Sequence, residues 1–192
     1  MVSRFEFIRT PLEGLTVVER RLIEDHRGFL ARFYCAGEFA EAGVRKPIAQ
    51  INHTLTRQRG TVRGMHFQRP PHAEMKIVSC LRGSICDVVV DVRRGSPTFL
   101  QWHGEVLSAE NRRALVVPEG MAHGFQALSD DCEILYLVTA AYAPDAEGGL
   151  LPTDPRLDIR WPLPITDLSE RDRKHPVIAL AFEGVDLLAP GA

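Results

Sequence analysis

The 192-residue sequence has no long apolar run and none of the glycine-rich patterns of common cofactor folds. No stretch approaches the roughly 20 apolar residues that cross a bilayer, and residues 1–9 contain no apolar core of a secretion signal. G-x-G-x-x-G, G-x-x-x-x-G-K-[ST] and G-x-S-x-G are absent, which removes sequence support for a dinucleotide fold, a P-loop or a hydrolase elbow. We therefore expect a cytoplasmic protein without membrane contact.

Cysteine is scarce, and the usual histidine pair of metal-binding barrels is missing. No two cysteines form a C-x-x-C pair, so a zinc knuckle or redox dithiol is unsupported and buried free thiols are expected. Small β-barrels often hold iron or manganese through His-x-His and a following Glu. His66 has no second histidine two residues on, and Gly and Phe follow His123. We expect no catalytic metal and no cofactor.

Basic residues are not concentrated in any one part of the chain. The formal net charge is −2 and the pI is near 6.4, with Lys and Arg spread along the sequence. Binding to nucleic acid or an anionic membrane depends on a local excess of positive charge, so neither partner is expected. A phosphate-bearing ligand would need a local basic pocket.

The apolar residues that are present indicate strands. They come in short runs of Val, Ile and Phe separated by Gly, Pro and Asn, without a sustained 3.6-residue period. The length suits one domain spanning residues 1–192. The number and spacing of the runs predict an all-β sandwich or barrel. The predicted strands are residues 15–20, 29–34, 48–56, 61–68, 75–82, 84–92, 113–117, 123–127 and 133–140.

Several local features are predicted between these strands. Arg82-Gly83 has the pattern of a tight hairpin turn, because Gly readily takes a positive φ. Short helices are expected at residues 36–42 and from Ser169, and a helical turn at 108–111. After Tyr142 the chain is rich in Pro, Asp and Gly and should form loops.

The densest chemical segment is Val-Arg-Gly-Met-His-Phe-Gln at residues 62–68, followed by Lys76. As a regular strand it would place Arg63 on one face and His66 on the other, whereas a bulge would break this alternation. Arg63 and Lys76 would make a positive pocket suited to a diphosphate. On the later strand Asp87 and Asp91 share a face, which could be solvated or could line a cavity, and we expect it to be solvated.

Other candidates are each more typical, taken alone, of packing than of catalysis. His123 lies in a Pro- and Gly-rich turn that could direct it into a cavity, although a core histidine is the simpler interpretation. Tyr136 and Tyr142, six residues apart, would share a strand face, and core or rim aromatics are the simpler interpretation.

Eight segments between residues 25 and 176 match, in order, the pattern of one known family. They are residues 25–29, 62–68, 70–76, 87–93, 95–99, 107–111, 118–125 and 161–162. Through them the chain resembles the dTDP-4-dehydrorhamnose 3,5-epimerase family, whose members are small cupin-like β-barrel homodimers. The resemblance implies an all-β cupin-like jelly roll, a double-stranded β-helix barrel with a few short helices. It also implies a metal-free epimerase that acts on a nucleotide-diphosphate sugar, and a homodimer.

The resemblance also assigns roles by position. His66 resembles the general base, Asp172 its carboxylate partner and Tyr136 the general acid. Lys76 would stabilise the enolate that forms when a proton next to the sugar's keto group is removed. The expected substrate-binding residues are Arg63, Gln50, Asn52, Arg27, Arg32, Asp87, His123 and Tyr142.

Two departures from the family pattern leave alternatives open. Arg32 stands where Glu is expected and Ile51 where Asp is expected, both in the region that meets the nucleotide. We therefore hypothesise that the nucleotide differs from dTDP. The alternatives are an epimerase for C3 or C5 alone, a non-catalytic sugar-nucleotide binding module, and a metal-dependent cupin, which the missing His-x-His opposes.

Overall fold

The computed structural model describes residues 3–188, and short strands make up most of its regular structure. The helices are α1 (Ala36–Phe39) and α2 (Glu170–Arg173), with 3-10 turns at Ala40–Ala42 and Pro144–Ala146. The strands are β1 (Phe5–Arg9), β2 (Thr16–Arg20), β3 (Ile23–Asp25), β4 (Gly28–Leu30), β5 (Gln50–Thr56), β6 (Thr61–Gln68), β7 (Lys76–Arg82), β8 (Ser84–Asp91), β9 (Trp102–Ser108), β10 (Ala114–Val117), β11 (Met121–Ala127), β12 (Cys132–Val138), β13 (Glu147–Gly149) and β14 (Asp167–Leu168).

Two sheets pack face to face. The first has the order β1-β2-β10-β7-β12-β5, and the second has the order β13-β6-β11-β8-β9 with β14 added beside β6. All pairings are antiparallel except that of β14 with β6. Leu115 and Val78 of the first sheet join Val89 and Phe125 of the second in one buried cluster. The architecture is a cupin-like jelly roll, which confirms the predicted fold class.

The strand β8 is covered on both faces. Its alternate side chains enter two different clusters, with Val89 between the sheets and Val88 and Val90 on the other side. Asp87 and Asp91 are therefore completely buried, and the expectation that they are solvated was wrong. Sequence alternation shows which residues share a face, but it does not show whether that face is covered.

The prediction of a hairpin at Arg82-Gly83 was also wrong. β7 and β8 belong to different sheets, so Gly83 carries the chain from one sheet to the other. Its φ is +74°, and an added Cβ would contact Ser129 and lie 3.0 Å from the Cys132 sulfur. The positive φ was anticipated correctly, but a turn residue does not determine which strands pair.

Most of the local predictions are confirmed. Residues 36–42 form α1 and a 3-10 turn, and Ser169 caps α2 by accepting a hydrogen bond from the Asp172 N–H. Residues 109–111 form a turn. The strand predicted at 29–34 is shorter, since only Gly28–Leu30 is extended and paired. The strands β1, β3, β9, β13 and β14 were missed. β3, β13 and β14 have only two or three residues, too few for an alternating pattern, and β1 and β9 lie at sheet edges.

The cysteine prediction holds for three of the four thiols. All four are free; Cys80, Cys86 and Cys132 are buried, whereas Cys35 is half-buried. Burial raises the pKa of Cys80 to about 12 and that of Cys86 to about 11. Within residues 3–188 no helix has the length and apolar character needed to cross a membrane.

Hydrogen bonds to the buried Asp91 carboxylate contribute to the stability of the fold in a pH-dependent way. Burial raises its pKa, but hydrogen bonds from Arg93, Ser96 and Thr98 outweigh burial and lower the pKa to about 2. Since this is below the value of about 3.9 for a free aspartate, its stabilising contribution is complete above roughly pH 4. The contribution is lost as the pH falls toward 2.

We predict that Asp91→Asn lowers the free energy of unfolding by about 2 kcal/mol at pH 7. The difference from the wild-type protein should shrink at pH 3. Urea unfolding at the two pH values measures it, with Asp145→Asn as the control because Asp145 is exposed. Equal stabilities of Asp91→Asn and wild type at pH 7 would contradict this account.

Candidate active site

Two adjoining cavities lie beside the facing sheets. The main cavity has a volume of about 460 Å³ and the side cavity about 340 Å³. Four residues line both cavities, and we call them the shared wall: His66, Lys76, Tyr136 and Arg171. The sequence predicted the first three as catalytic residues, so the fold brings three strands, β6, β7 and β12, to one point.

A bulge in β6 turns Arg63 and His66 toward the same cavity. His66 pairs with His123 of β11 and Arg63 pairs with Phe125, so two residues of β6 lie opposite one residue of β11. A regular strand would have placed Arg63 and His66 on opposite faces, but the bulge breaks this alternation and both side chains line the main cavity. Gly64 allows the close approach, since a Cβ there would lie 2.8 Å from the His123 carbonyl oxygen.

His66 forms a hydrogen-bonded pair with a buried carboxylate. Its Nε2 lies 2.7 Å from Oδ1 of Asp172 in α2, and Asp172 Oδ2 accepts from the Gly64 N–H at 3.3 Å. Burial raises the pKa of Asp172, but the hydrogen bonds from His66, Gly64 and Ser169, together with the positive charge that His66 carries once protonated, outweigh burial and lower the pKa to about 2. An ionised acceptor assigns the proton to Nε2, so that the neutral ring has its lone pair at Nδ1. His66 is therefore suited to accept a proton.

Tyr136 and Lys76 project from neighbouring strands. Burial raises the pKa of Tyr136, the charge of Glu74 raises it further, and Arg63 partly opposes both. The phenol consequently keeps its proton and can donate it. The Lys76 ammonium lies 3.2 Å from a Glu74 carboxylate oxygen, and the exposed fractions of these side chains are 12% and 11%.

A second histidine–carboxylate pair lies beside the first. His123, directly opposite His66 across the strand pair, has its Nε2 2.6 Å from Asp87 Oδ1. His123 lines the main cavity, whereas Asp87 has no exposed surface and lies behind it. Asp87, expected among the substrate-binding residues, thus meets the cavity only through His123.

The remaining predicted residues divide into two groups. Gln50, Asn52 and Tyr142 line the side cavity, and the Gln50 side chain accepts a hydrogen bond from the Tyr142 N–H. Arg27 and Arg32 line neither cavity. They lie in and after the β3–β4 hairpin, which pairs with neither main sheet, and their partners are the exposed Asp25 and the half-buried Glu38.

Sequence reasoning missed four charged residues at the cavities, namely Arg171, Glu147, Glu74 and Asp167. Arg171 Nη2 lies 2.9 Å from His66 Nε2, and Nη1 lies 3.1 Å from a Glu147 oxygen. A guanidinium only donates hydrogen bonds, so it cannot bond to an Nε2 that already donates to Asp172. Arg171 instead adds positive charge beside the ring. The sequence offered one signal for Arg171, namely that it precedes Asp172, the predicted partner of His66.

One group of side chains has the composition of a metal site. Donor atoms of His66, Asp172 and His175 lie within 4.8 Å of one another. The 2.7 Å separation of His66 and Asp172 is that of a hydrogen bond, whereas two ligands of a tetrahedral zinc ion lie roughly 3.3 Å apart. The Arg171 guanidinium also lies against the same nitrogen. This geometry fits a proton-transfer pair better than a cation site.

Comparisons with known proteins identify the family of the chain. The family model described as dTDP-4-dehydrorhamnose 3,5-epimerase matches residues 9–179. The dTDP-4-dehydrorhamnose 3,5-epimerase of Methanothermobacter thermautotrophicus is 41% identical over 90% of this chain and 94% of its own. The dTDP-4-dehydrorhamnose 3-epimerase of Streptomyces niveus is also 41% identical, over 88% of this chain and 82% of its own.

A solved structure extends the similarity to three dimensions. The crystal structure of dTDP-4-dehydrorhamnose 3,5-epimerase from Bacillus anthracis, with TDP and PPi bound, is similar with a TM-score of 0.87 and 39% identity. The match covers 91% of this chain and 99% of that one. Sequence and fold thus agree over nearly the whole described chain, and the protein belongs to the dTDP-4-dehydrorhamnose 3,5-epimerase family.

Proposed function

We propose that this enzyme epimerises C3 and C5 of a nucleotide-linked 4-keto-6-deoxyhexose, of the dTDP-4-dehydro-6-deoxyglucose type. The observation that carries the proposal is the shared wall. It combines a base with a fixed tautomer, a protonated phenol and an ammonium group around one space. A non-catalytic binding module would not need all three groups.

The first step follows from the position of the keto group. C3 and C5 both flank the carbonyl at C4, so loss of a proton from either carbon gives an enolate with its charge on O4. His66 would take this proton at Nδ1, and the ionised Asp172 would stabilise the imidazolium that results. Lys76 would place its positive charge near O4, where charge develops.

Inversion requires the proton to return from the other face of the ring. Tyr136 supplies it in this proposal, since its raised pKa keeps the hydroxyl protonated. The same base and acid serve both carbons if the sugar ring reorients between the two steps. Arg63 and Arg171 would contact the diphosphate, while Gln50, Asn52 and Tyr142 would contact the nucleotide end in the side cavity.

The positions of the two departures from the family pattern bear on nucleotide choice. Ile51 is exposed on the outer side of β5, and Arg32 pairs with Glu38 outside both cavities. Neither alters the cavity walls of this chain. Within one chain, therefore, neither departure touches a cavity wall, and we propose dTDP, the nucleotide named for the similar proteins, as the nucleotide of this enzyme.

We predict that purified enzyme in D₂O introduces deuterium at both C3 and C5 with inversion, as followed by proton NMR. His66→Ala should lower exchange by about a thousandfold, because it removes the base. Tyr136→Phe should retain exchange but lose inversion. His53→Ala is the control, since His53 lies exposed on the outer side of β5.

Different outcomes of this experiment separate the alternatives. Inversion at one carbon alone would identify a C3-only or C5-only epimerase. Epimerisation retained in His66→Ala would refute the proposed base. Absence of exchange from folded wild-type protein would favour a binding module.

We predict that dTDP binds more tightly than CDP, GDP or UDP in calorimetric titrations. The reason is that Gln50 and Asn52, which match the family pattern, both line the side cavity. A preference for another nucleotide would restore the hypothesis drawn from Arg32 and Ile51.

We also propose a homodimer, in the cytoplasm, with each chain forming one domain. Exposed apolar side chains support the assembly: the exposed fractions are 54% for Phe29, 66% for Leu30 and 62% for Ile51. A subunit interface here would also bring Arg27 and Arg32 close to another copy, which would explain their expected role in nucleotide binding.

We predict that light scattering after size exclusion gives twice the mass of one chain. Ile51→Glu should shift the protein toward a monomer, because it places a charge in the proposed interface. Leu180→Ser is the control at an exposed apolar residue elsewhere, since Leu180 is 93% exposed. A monomeric wild-type protein would contradict the assembly.

A further inference from the structure

Glu74 is a carboxylate at the cavities to which the reaction described above gives no role. It precedes β7 by two residues, and its oxygen lies 3.2 Å from the Lys76 ammonium. Both side chains are about nine-tenths buried, with exposed fractions of 12% and 11%. A charge with so little contact with water is costly without a partner. The two groups therefore stabilise each other in this position.

The pair also lies beside Tyr136. In the β7–β12 register Lys76 is opposite Val138 and Tyr136 is opposite Val78, so Lys76 and Tyr136 are diagonal neighbours on one face. Glu74 lines the side cavity together with both of them. A single carboxylate thus borders the ammonium group and the phenol of the shared wall.

We propose that Glu74 is a positioning residue, which acts on the reaction by holding the Lys76 ammonium at the junction of the two cavities. This rests on the proposed function, in which Lys76 stabilises the charge on O4. Without the carboxylate, the flexible lysine side chain would sample other directions. A displacement of about 1 Å from the enolate oxygen can lower the rate a hundredfold.

Glu74 has a second effect, through its charge. Burial is the main cause of the raised pKa of Tyr136, and Glu74 adds to it. Replacing Glu74 by a neutral residue should lower this pKa, so that the phenol loses its proton at a lower pH. The other charged or titratable groups lining the two cavities are Arg63, His66, Lys76, His123, Tyr142, Glu147, Asp167, Arg171 and Asp172.

The kinetic test compares Glu74→Gln, Glu74→Asp and wild type. Gln keeps the shape and removes the charge, so we expect kcat to fall about ten- to a hundredfold with KM changed less than about threefold. The alkaline limb of the pH profile should move to lower pH. Asp keeps the charge on a shorter side chain and should recover part of kcat. Glu133→Gln, on the outer side of β12, is the matched control.

A measurement without substrate separates this proposal from the proposed function. The chain has three tyrosines, so the absorbance of tyrosinate can be titrated and the Tyr136 contribution obtained by subtraction of the same titration in Tyr136→Phe. In Glu74→Gln the Tyr136 transition should occur at lower pH. A wild-type kcat in Glu74→Gln would overturn the positioning role, and an unmoved Tyr136 transition would overturn the effect on the phenol.

Discussion

The hydrogen bond between His66 and Asp172 joins helix α2 to strand β6 of the second sheet. β14 runs parallel to β6, and α2 follows it after one residue, which brings the Asp172 carboxylate to the bulge at Gly64. The carboxylate is ionised and accepts from Nε2, so the neutral ring has its lone pair at Nδ1. This contact determines which nitrogen of His66 can accept a proton, and it also holds α2 against β6.

Each cation of the shared wall has a carboxylate beside it. Lys76 lies next to Glu74, and Arg171 lies next to Glu147. Because an unpaired charge in a partly buried site is costly, these pairs allow positive groups to converge in a protein whose net charge is −2. The carboxylates also weaken the field of each cation, which sets how strongly it can act on a bound anion.

Local chemistry explains what could be predicted from the sequence. Runs rich in Val and Ile between turn residues gave the interior strands, and the capping residue Ser169 gave the start of α2. The partnership of His66 and Asp172, which are 106 residues apart, came only from the family resemblance. No periodic pattern connects two residues at that separation.

Tertiary pairing explains what could not be predicted. The bulge that places Arg63 beside His66 arises from the register of β6 against β11, and the crossing at Gly83 depends on which sheet each strand joins. The contact between Arg171 and His66 exists because β14 adds to β6. Each of these three features depends on which strand lies beside another in the sheet, and the residues of a strand do not specify its neighbour.

The orientation of the His66 ring is the central claim, and nitrogen NMR of ¹⁵N-histidine-labelled enzyme tests it directly. The chain has seven histidines, and loss of one signal set in His66→Asn would assign the ring. We predict that the neutral ring carries its proton on Nε2 and leaves Nδ1 unprotonated. A neutral His66 with its proton on Nδ1 would contradict the account, because the carboxylate would then lack its donor and the base would face the wrong way.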